Sequence, residues 1–550
     1  MSNLQINTRV RRLFQYLDDF EKGRIQVPPF QRDFVWDNQK KLDLLDSLKK
    51  GFPIGSVLFW QADEENLFLE EDVQKIGSYS LPRNGNDFYF ILDGYQRLST
   101  LFGCFIDHNR TSLSRDEIDW KKNFDIVYNL QEDRFEFNRR TTSEIQIFQI
   151  PLYHFIDGEK FYDFQTDLVH SNVDENKKKE YIRLYKSFGA KISGYDIPSI
   201  DLVGGNIKEA VEIFSRLNSR GERITDDWKV SALSFSPERK FRFGSEIDHL
   251  FDRLERYDFF NSNGERKHKR DLILKCVVNS FGKVYFDVSN VSNELEELAQ
   301  RRDFIDISMA AFVSIEKAVK FLYEELMVLS SNLLPYNSHL IFITEFFNRL
   351  PDPSRSQLDK LKKWFWQTTY ANYFTVYNLA KQRLAYYRFV DFLGNEEIDP
   401  FYLDKRKKFE TVEFPKKISM KSVRAKALAL FMLNYSVKYL EILGPMLISV
   451  KGRLNYKDMK IFKNIDNPDG DNISENTIMV ITPDPESFFY ERQGMLLSAG
   501  MFNEDNLSRY FLFKEMLNNL SEKEFLEMRL SIVKDQEKNF VEQLNVVYSS

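Results

Sequence analysis

The chain has 550 residues, a mass of 65.4 kDa and a formal net charge of −6. A chain of this length predicts roughly two to four domains rather than one hydrophobic core. Hydrophobic residues make up 43% and charged residues 29% of the sequence, as in soluble globular proteins. The negative net charge excludes a nucleic-acid-binding protein that is basic over its whole surface, so contact with DNA would need local basic patches such as 266–270 or 405–408. The sequence favours a solvated loop or helix face over a binding site for each of these patches.

Nothing in the sequence predicts a membrane or secreted protein. There is no run of about 18 apolar residues, which a membrane span would require. The first residues lack the apolar core of a signal peptide. Two cysteines, Cys104 and Cys276, can build neither a disulfide framework nor a zinc site by themselves. We therefore expect a cytoplasmic protein with no membrane partner.

The N-terminal part of the chain alternates helix and strand patterns. Apolar residues spaced for one helical face predict a helix over residues 8–23. A second helix is expected to begin at a cap on Asn38 and to stop at Gly51. Further strands are predicted at 56–61, 88–92 and 197–203, a β-hairpin or small β-sheet within 124–153, and helices at 176–187 and 208–216.

The most informative polar residues lie in the segment 91–101, between a strand pattern and a helix pattern. Asp93 and Gly94 follow the apolar strand, and Gln96 and Arg97 open the helix. A strand–turn–helix junction presents free backbone N–H groups and a positive dipole end, which suit a phosphate. Arg97 adds a planar fork of donors, and Asp93 could hold a metal ion or a water. The segment alone fits an ordinary polar turn as well, so both interpretations stay open.

Two other segments carry polar motifs in aromatic surroundings. Residues 27–36 hold Gln31 and Arg32 between two prolines and a Val-Trp pair, and a Pro-Ile-Gly-Ser run follows at 53–56. Residues 214–221 read Phe-Ser-Arg-Leu-Asn-Ser-Arg-Gly. In order and rough spacing, these motifs and the Asp-Gly-x-Gln-Arg motif resemble the ParB-like nucleotidase family. That family includes the S half of the GmrSD restriction enzymes, which cleave modified phage DNA.

The resemblance implies a nucleoside triphosphate with Mg²⁺ as cofactor, which the protein could hydrolyse. It also implies modified or phage DNA and a partner effector subunit as candidate partners. Tyr95 departs from the family pattern, which has a Gln at this position. Carried over residue by residue, the catalytic roles fall on Asp93, Gln96 and Arg97, with Asp93 also as the metal ligand. The nucleotide-binding roles fall on Gln31, Arg32, Gly55, Ser56, Gly94, Asn218, Arg220 and Gly221.

After residue 225 the strand signals thin out and long helical patterns dominate. We therefore predict an α+β protein, with a ParB-like mixed α/β N-terminal domain followed by a largely α-helical region. The predicted domains are 1–230, which would bind the nucleotide, 231–405, which is helical, and 406–550. The aromatic stretch that begins with Trp364-Phe365-Trp366 has a spacing that favours core packing over base stacking.

In the family, an HNH nuclease module commonly follows the helical region and uses histidine as metal ligand and general base. This chain has no histidine after His339. Residues 460–468, where the histidines would stand, contain none, although 472–478 still resembles the Asn-bearing part. We therefore expect a degenerate HNH-like region without nuclease activity. The acidic loop 466–471 lacks the spacing of a calcium site and favours a surface turn.

Two hypotheses remain open from the sequence. The protein could bind and hydrolyse a nucleoside triphosphate within a prokaryotic anti-phage or restriction-type defence system that acts on or senses foreign DNA. Alternatively, it could be a non-catalytic ParB-like protein that binds DNA or a partner without NTPase or nuclease activity. The intact Gln-Arg and Asp-Gly-x-Gln-Arg motifs favour the first hypothesis, and the missing histidines favour the second as far as DNA cleavage is concerned.

Overall fold

The computed structural model describes residues 4–28, 31, 34–61, 74–82, 88–138, 146–217, 226–236, 239, 241–284, 290–404, 409–417, 421–440, 459–462, 478–481, 511 and 521–549. The chain forms two compact units, Met1–Gly244 and Ser245–Ser550. The α+β class is confirmed, and the predicted domain boundaries at 230 and 405 stay predictions. Within the described residues, no helix is both long enough and apolar enough to cross a membrane.

The N-terminal unit contains ten strands and eight α-helices in its described part. The strands are β1 (Gln5–Arg12), β2 (Ile25–Gln26), β3 (Val57–Gln61), β4 (Lys75–Ile76), β5 (Tyr79–Ser80), β6 (Tyr89–Asp93), β7 (Ile126–Asn129), β8 (Arg134–Phe137), β9 (Gln149–Pro151) and β10 (Asp196–Val203). The helices are α1 (Leu13–Glu21), α2 (Asn38–Lys50), α3 (Tyr95–Phe105), α4 (Glu117–Asn123), α5 (Gly158–His170), α6 (Glu175–Ser193), α7 (Ile207–Leu217) and α8 (Asp226–Ser234).

A five-stranded mixed sheet organises this unit, in the order β1-β10-β3-β6-β2. Strand β3 runs parallel to β10 and antiparallel to β6, so the end of β6 lies beside the start of β3. One face of the sheet packs on the larger hydrophobic core, with α1, α2, α3 and α6. The other face packs on a smaller core with α7 and α8. The predicted small sheet within 124–153 is confirmed as β8-β7-β9.

The prediction of a helix from residue 8 is wrong in its first part. Residues 5–12 form β1, which pairs antiparallel with β10 along its whole length, and α1 begins only at Leu13. Arg11 of β1 donates to the buried Asp201 of β10 over 2.8 Å. Pairing with a distant strand therefore overrides the local helical periodicity. The cap of α2 is also shifted, because Asp37 rather than Asn38 accepts from the backbone N–H of Lys40.

The C-terminal unit is helical, apart from the two short strands that its described part contains. Its helices are α9 (Phe243–Leu254), α10 (Asn263–Ser280), α11 (Val291–Leu298), α12 (Phe304–Leu326), α13 (Asn337–Arg349), α14 (Arg355–Tyr370), α15 (Tyr373–Val376), α16 (Leu379–Gly394), α17 (Val423–Leu440) and α18 (Glu522–Gln543). The strands β11 (Met459–Phe462) and β12 (Ile478–Ile481) form an antiparallel pair.

The aromatic stretch of α14 to α16 forms core, as predicted. Trp364 is 1% exposed and stacks on Phe342 of α13 with ring centroids 5.2 Å apart. Its ring also lies 4.7 Å from that of Phe389 in α16. Buried aromatic pairs of this kind contribute stability beyond the area they bury. These rings therefore hold three helices together and are not available as a platform for bases.

A buried ion pair joins α17 to α18. Arg424 and Glu537 form two parallel hydrogen bonds of 2.7 and 2.6 Å, and both side chains are almost completely buried. The hydroxyls of Tyr370 and Tyr548 each donate to Glu537 over 2.9 Å. All four groups are hydrogen-bonded, which is the condition under which a buried ion pair is tolerated. The two helices that flank residues 441–521 in sequence are thereby fixed to α14.

His339 of α13 is completely buried among the rings of this core. Its Nε2 lies 2.9 Å from the Thr368 hydroxyl, and its Nδ1 has no hydrogen-bond partner among the described residues. Burial lowers the pKa of His339 to about 3, because no counter-charge offsets the desolvation of the imidazolium. The folded state therefore holds this histidine neutral, whereas the unfolded chain protonates it below its ordinary pKa.

We predict that His339 makes the fold acid-sensitive. Since its folded pKa is depressed, its contribution is fully present above pH 6.5 and is lost as the pH falls towards 3. The loss should reach about 2 kcal/mol of unfolding free energy between pH 7.5 and pH 5. Urea unfolding of wild type and His339→Gln at both pH values measures it, because the glutamine variant should not show this loss. The control variant is His249→Gln, which changes an exposed histidine instead. An equal pH dependence in wild type and His339→Gln would contradict the prediction.

Candidate functional site at the start of helix α3

The site is built where β6 ends and α3 begins. Asp93 is the last residue of β6, and Gly94 turns the chain with φ = +90° before α3 starts at Tyr95. A Cβ on Gly94 would lie 2.6 Å from Cγ1 of Val57, so both the positive φ and the close approach to β3 require glycine. No side chain caps the first turn of α3. The positive end of this helix is therefore not neutralised by a capping carboxylate.

Arg97 connects three segments at this junction. Its guanidinium donates to the backbone carbonyls of Ile54 and Ser56 over 2.7 and 2.8 Å. It also donates to Oδ2 of Asp93 over 3.1 Å. The Arg97 side chain is 17% exposed and the Asp93 side chain 35% exposed, so the pair stands at the rim of the protein. Arg97 thus ties the loop before β3 to the end of β6 and to α3.

Gly55 lies directly against this guanidinium. Its φ is +88°, and a Cβ there would meet Nη1 of Arg97 at 2.6 Å. The Pro-Ile-Gly-Ser run therefore has a definite structural role, because it turns two carbonyls towards Arg97 and leaves no volume for a side chain between them. The structure brings Gly55, Ser56, Gly94, Asp93 and Arg97 together.

Gln31 and Gln96 join the N-terminal Gln-Arg segment to the same place. The Gln31 side-chain amide donates to the carbonyls of Ile91 and Leu92, over 3.1 and 3.2 Å, at the end of β6. In the opposite direction, Oε1 of Gln96 accepts from the backbone N–H groups of Val35 and Trp36, over 2.9 and 3.2 Å. Gln96 is buried, with 6% of its surface exposed. In this structure, it therefore positions the segment that follows Arg32.

The remaining predicted residues cannot be placed at this site. Arg32, Asn218, Arg220 and Gly221 lie outside the described residues, so their convergence on Arg97 stays a prediction. Helix α7 ends at Leu217, immediately before the Asn-Ser-Arg-Gly motif. Tyr95 occupies the first position of α3, and its hydroxyl donates to the carbonyl of Lys75 over 3.3 Å. The tyrosine side chain therefore extends towards β4.

Lys41 is a positioning residue that the sequence interpretation missed. It lies on α2 and is completely buried, with its Nζ 5.2 Å from the ring centre of Phe34 and 5.7 Å from that of Phe124. The ammonium donates to Oδ1 of Asn123 over 2.9 Å. Burial lowers the pKa of Lys41. Since Phe34 belongs to the Gln-Arg segment, this cation–π contact fixes the segment from a second side.

Asp93 is the candidate metal ligand of this junction. In the described part of the chain, no group of three or more His, Cys, Asp or Glu side chains could hold a metal. Asp93 is a single carboxylate, and Mg²⁺ characteristically binds one or two carboxylates together with substrate phosphates. If a nucleotide binds here, Asp93 is the residue that would hold its Mg²⁺.

Two comparisons with known proteins bear on this geometry. Residues 13–235 match the family model of the GmrSD restriction endonuclease, N-terminal domain. The N-terminal unit is similar to that domain. The second match is to an uncharacterized protein, MJ0686 of Methanocaldococcus jannaschii, which is 21% identical over 423 residues. That alignment covers 67% of this chain, and the chain spans 65% of the relative's length.

The GmrSD match covers the elements that build the site, from α1 to α8. It therefore includes the Gln-Arg, Pro-Ile-Gly and Asp-Gly-x-Gln-Arg motifs, which the structure ties together through Gln31, Gln96 and Arg97. The ParB-like subfamily and the HNH-like C-terminal region stay predictions.

We predict that Gly55→Ala disturbs the site much more than Gly51→Ala does. Both glycines have a positive φ, of +88° and +75°, so both changes carry the same backbone cost of about 1–2 kcal/mol. Only at Gly55 would the new Cβ collide with Arg97, since nothing lies within 4 Å of a Cβ at Gly51. Gly55→Ala should therefore lose a further ~1–3 kcal/mol in urea unfolding, through displaced hydrogen bonds. Equal losses for the two variants would show that Arg97 does not depend on this contact.

Proposed function

We propose that the N-terminal unit binds a nucleoside triphosphate with Mg²⁺ at the start of α3, and that the protein belongs to a restriction-type defence system acting on DNA. The observation that carries the proposal is the Arg97 junction, where an uncapped helix start, a glycine turn and a partly exposed arginine–aspartate pair meet. These are the components of a phosphate site: backbone N–H groups, a positive helix end and a guanidinium fork.

The similarity to a restriction endonuclease N-terminal domain supports the DNA part of this proposal. Such a system must distinguish foreign from host DNA, and a nucleotide-dependent step would let recognition control an effector. In this proposal Asp93 holds the metal ion, Arg97 binds phosphate oxygens, and Gln31 and Gln96 position the Gln-Arg segment that carries Arg32. The proposal also includes hydrolysis of the bound nucleotide.

A non-catalytic role is the second candidate, and a specific observation favours it. Arg97, Asp93 and Gln96 all hydrogen-bond to other protein groups, two of them to backbone atoms of neighbouring segments. These contacts are sufficient to explain the three residues by the stability of the junction alone, without a ligand. In that case the N-terminal unit would bind DNA or a partner subunit without using a nucleotide.

Nucleotide binding separates the two candidates. We predict that Asp93→Asn weakens Mg²⁺–nucleotide binding at least tenfold in calorimetry with the four common ribonucleoside triphosphates. The loss of a charge-assisted interaction of about 1.5–3 kcal/mol sets this size. The fold should be retained, because asparagine keeps an oxygen for Arg97 and the two carbonyl contacts remain. Arg97→Lys should also lose affinity, since lysine lacks the planar fork.

The matched control is Arg110→Lys. Arg110 lies beyond the C-terminal end of α3 and pairs with Asp157 and Glu159, so it should leave nucleotide affinity unchanged. Phosphate release, measured with and without phage DNA, then tests hydrolysis. Equal nucleotide affinity in wild type and Asp93→Asn would overturn the assignment of the metal ligand. No binding of any nucleotide by wild type would leave the non-catalytic candidate.

We also predict that the C-terminal region 406–550 does not cleave DNA by HNH chemistry. The chain has no histidine after His339, and His339 itself is completely buried in the aromatic core. A carboxylate with a pKa near 4 is a poor general base at neutral pH. Because α17 and α18 are fixed to α14, the test should use the full chain. Metal-dependent plasmid cleavage that is lost on Asp466→Ala or Asn476→Ala would refute the prediction.

A further inference from the structure

We infer that the C-terminal unit carries a binding site for a DNA backbone phosphate, formed by Lys269 of α10 and Lys426 of α17 at the start of α13. The inference extends the DNA part of the proposed function and is independent of the nucleotide site. It names where the protein would hold the duplex.

The two lysines approach the same short loop from different helices. Nζ of Lys269 donates to Oδ1 of Asn337 over 3.0 Å, and Nζ of Lys426 donates to the carbonyl of Leu334 over 2.9 Å. The two acceptors are three residues apart in the chain. Both lysines are partly buried, and burial lowers the pKa of each. The charge of Lys269 lowers the pKa of Lys426 further, so the two ammonium groups are close enough to repel each other.

Within the described residues, neither lysine forms an ion pair at 4.0 Å or less. The carboxylate that acts on Lys269 is Glu265, one helical turn earlier, and its side chain accepts from the hydroxyl of Ser331. The neighbouring arginines of α10 differ. Arg266 pairs with Asp252 over 2.9 Å and Arg270 with Asp248 over 2.5 Å. The basic segment 266–270 therefore contains two arginines in ion pairs and, in Lys269, a lysine that forms no ion pair among the described residues and on which Glu265 acts only at longer range.

The start of α13 adds a third source of positive potential. This helix has 13 residues, and its cap residue Tyr336 makes no side-chain capping bond. The Tyr336 hydroxyl donates instead to Asn372, over 2.6 Å, and the first turn contains no acidic residue. Two partly buried ammonium groups, neither in an ion pair with a described carboxylate, therefore lie near a positive helix end. Such an arrangement is unfavourable by itself and becomes favourable when a phosphate binds.

The chemistry favours a backbone phosphate of DNA over a base. Lysine ammonium groups act as point charges that position a duplex without reading its sequence. The whole chain has a net charge of −6 and so repels DNA at long range, which makes a local, uncompensated cationic site necessary for any stable contact. Free phosphate and nucleotides could bind the same two ammonium groups, so the experiment compares their binding with that of DNA.

The test uses the full chain and a labelled duplex, with binding followed by fluorescence anisotropy between about 50 and 200 mM salt. The variants are Lys269→Gln, Lys426→Gln and the double change. We expect each single variant to weaken binding several-fold and equally across DNA sequences. The double variant should lower the slope of log affinity against log salt by about 1 to 2. The charge-preserving pair Lys269→Arg and Lys426→Arg should keep most of the slope.

Lys360→Gln is the matched control. Lys360 of α14 is also partly buried and also donates to a backbone carbonyl, that of Glu396 over 2.5 Å, but it lies outside this site. It should leave both affinity and slope unchanged. The melting temperature shows whether the two lysines have a structural role instead, because loss of a stabilising contact would lower it. Since the lysines repel each other, the double variant should melt at the same temperature as wild type or higher.

Each outcome decides between the assignments. Wild-type DNA affinity with an unchanged slope in the double variant would overturn the inference while leaving the proposed function intact. If the double variant loses binding of inorganic phosphate or nucleotide but keeps its affinity for DNA, the site belongs to a free anion and the DNA assignment is overturned. Absence of DNA binding by wild type would remove both the inference and the DNA part of the proposed function, whereas nucleotide calorimetry would still test α3.

Discussion

The N-terminal unit depends on the hydrogen bonds of one guanidinium. Arg97 is the first-turn residue of α3 that reaches two carbonyls of the loop before β3 and the carboxylate that ends β6. Because β3 and β6 are antiparallel neighbours, these bonds fix where both strands meet the helix. The glycines at 55 and 94 follow from the same constraint, since side chains there would occupy the volume of Arg97 or Val57. The phosphate site that we propose here would therefore use residues that already stabilise a structural junction.

The Gln-Arg segment is held by contacts that run in both directions. Gln31 donates its amide to the end of β6, whereas Gln96 accepts from the backbone two residues before α2. The ammonium group of Lys41 contacts the ring of Phe34 in a cation–π interaction. Three side chains therefore fix a segment that has little regular structure of its own. Rigid support of this kind is what a binding site needs, because a misplaced donor loses most of its effect on a ligand.

The sequence could predict those parts of the structure whose signal is local. Strand β6, the turn at Gly94 and the amphipathic α3 follow from short patterns, and the aromatic core of α14 follows from its spacing. Strand β1 could not be predicted, because its pairing with β10 depends on residues about 190 positions away. Lys41 could have been found, since it shares the apolar face of α2 with Leu45 and Leu48. The bonds from Arg97 to backbone carbonyls carry no sequence signal.

Charge compensation separates the cations with a purely structural role from those to which we assign ligand binding. Arg424 is buried, and its guanidinium is paired with Glu537, whose carboxylate also accepts from the hydroxyls of Tyr370 and Tyr548, so neither charge is left for a ligand. Arg97 has an aspartate and two carbonyls, yet its side chain reaches the surface beside a positive helix end. Lys269 has only a neutral oxygen as its hydrogen-bond acceptor. A cation that is desolvated but not compensated raises the free energy of the folded state, and an anion that binds there lowers it again. We therefore expect ligand binding to stabilise the protein most where its own charges compensate each other least.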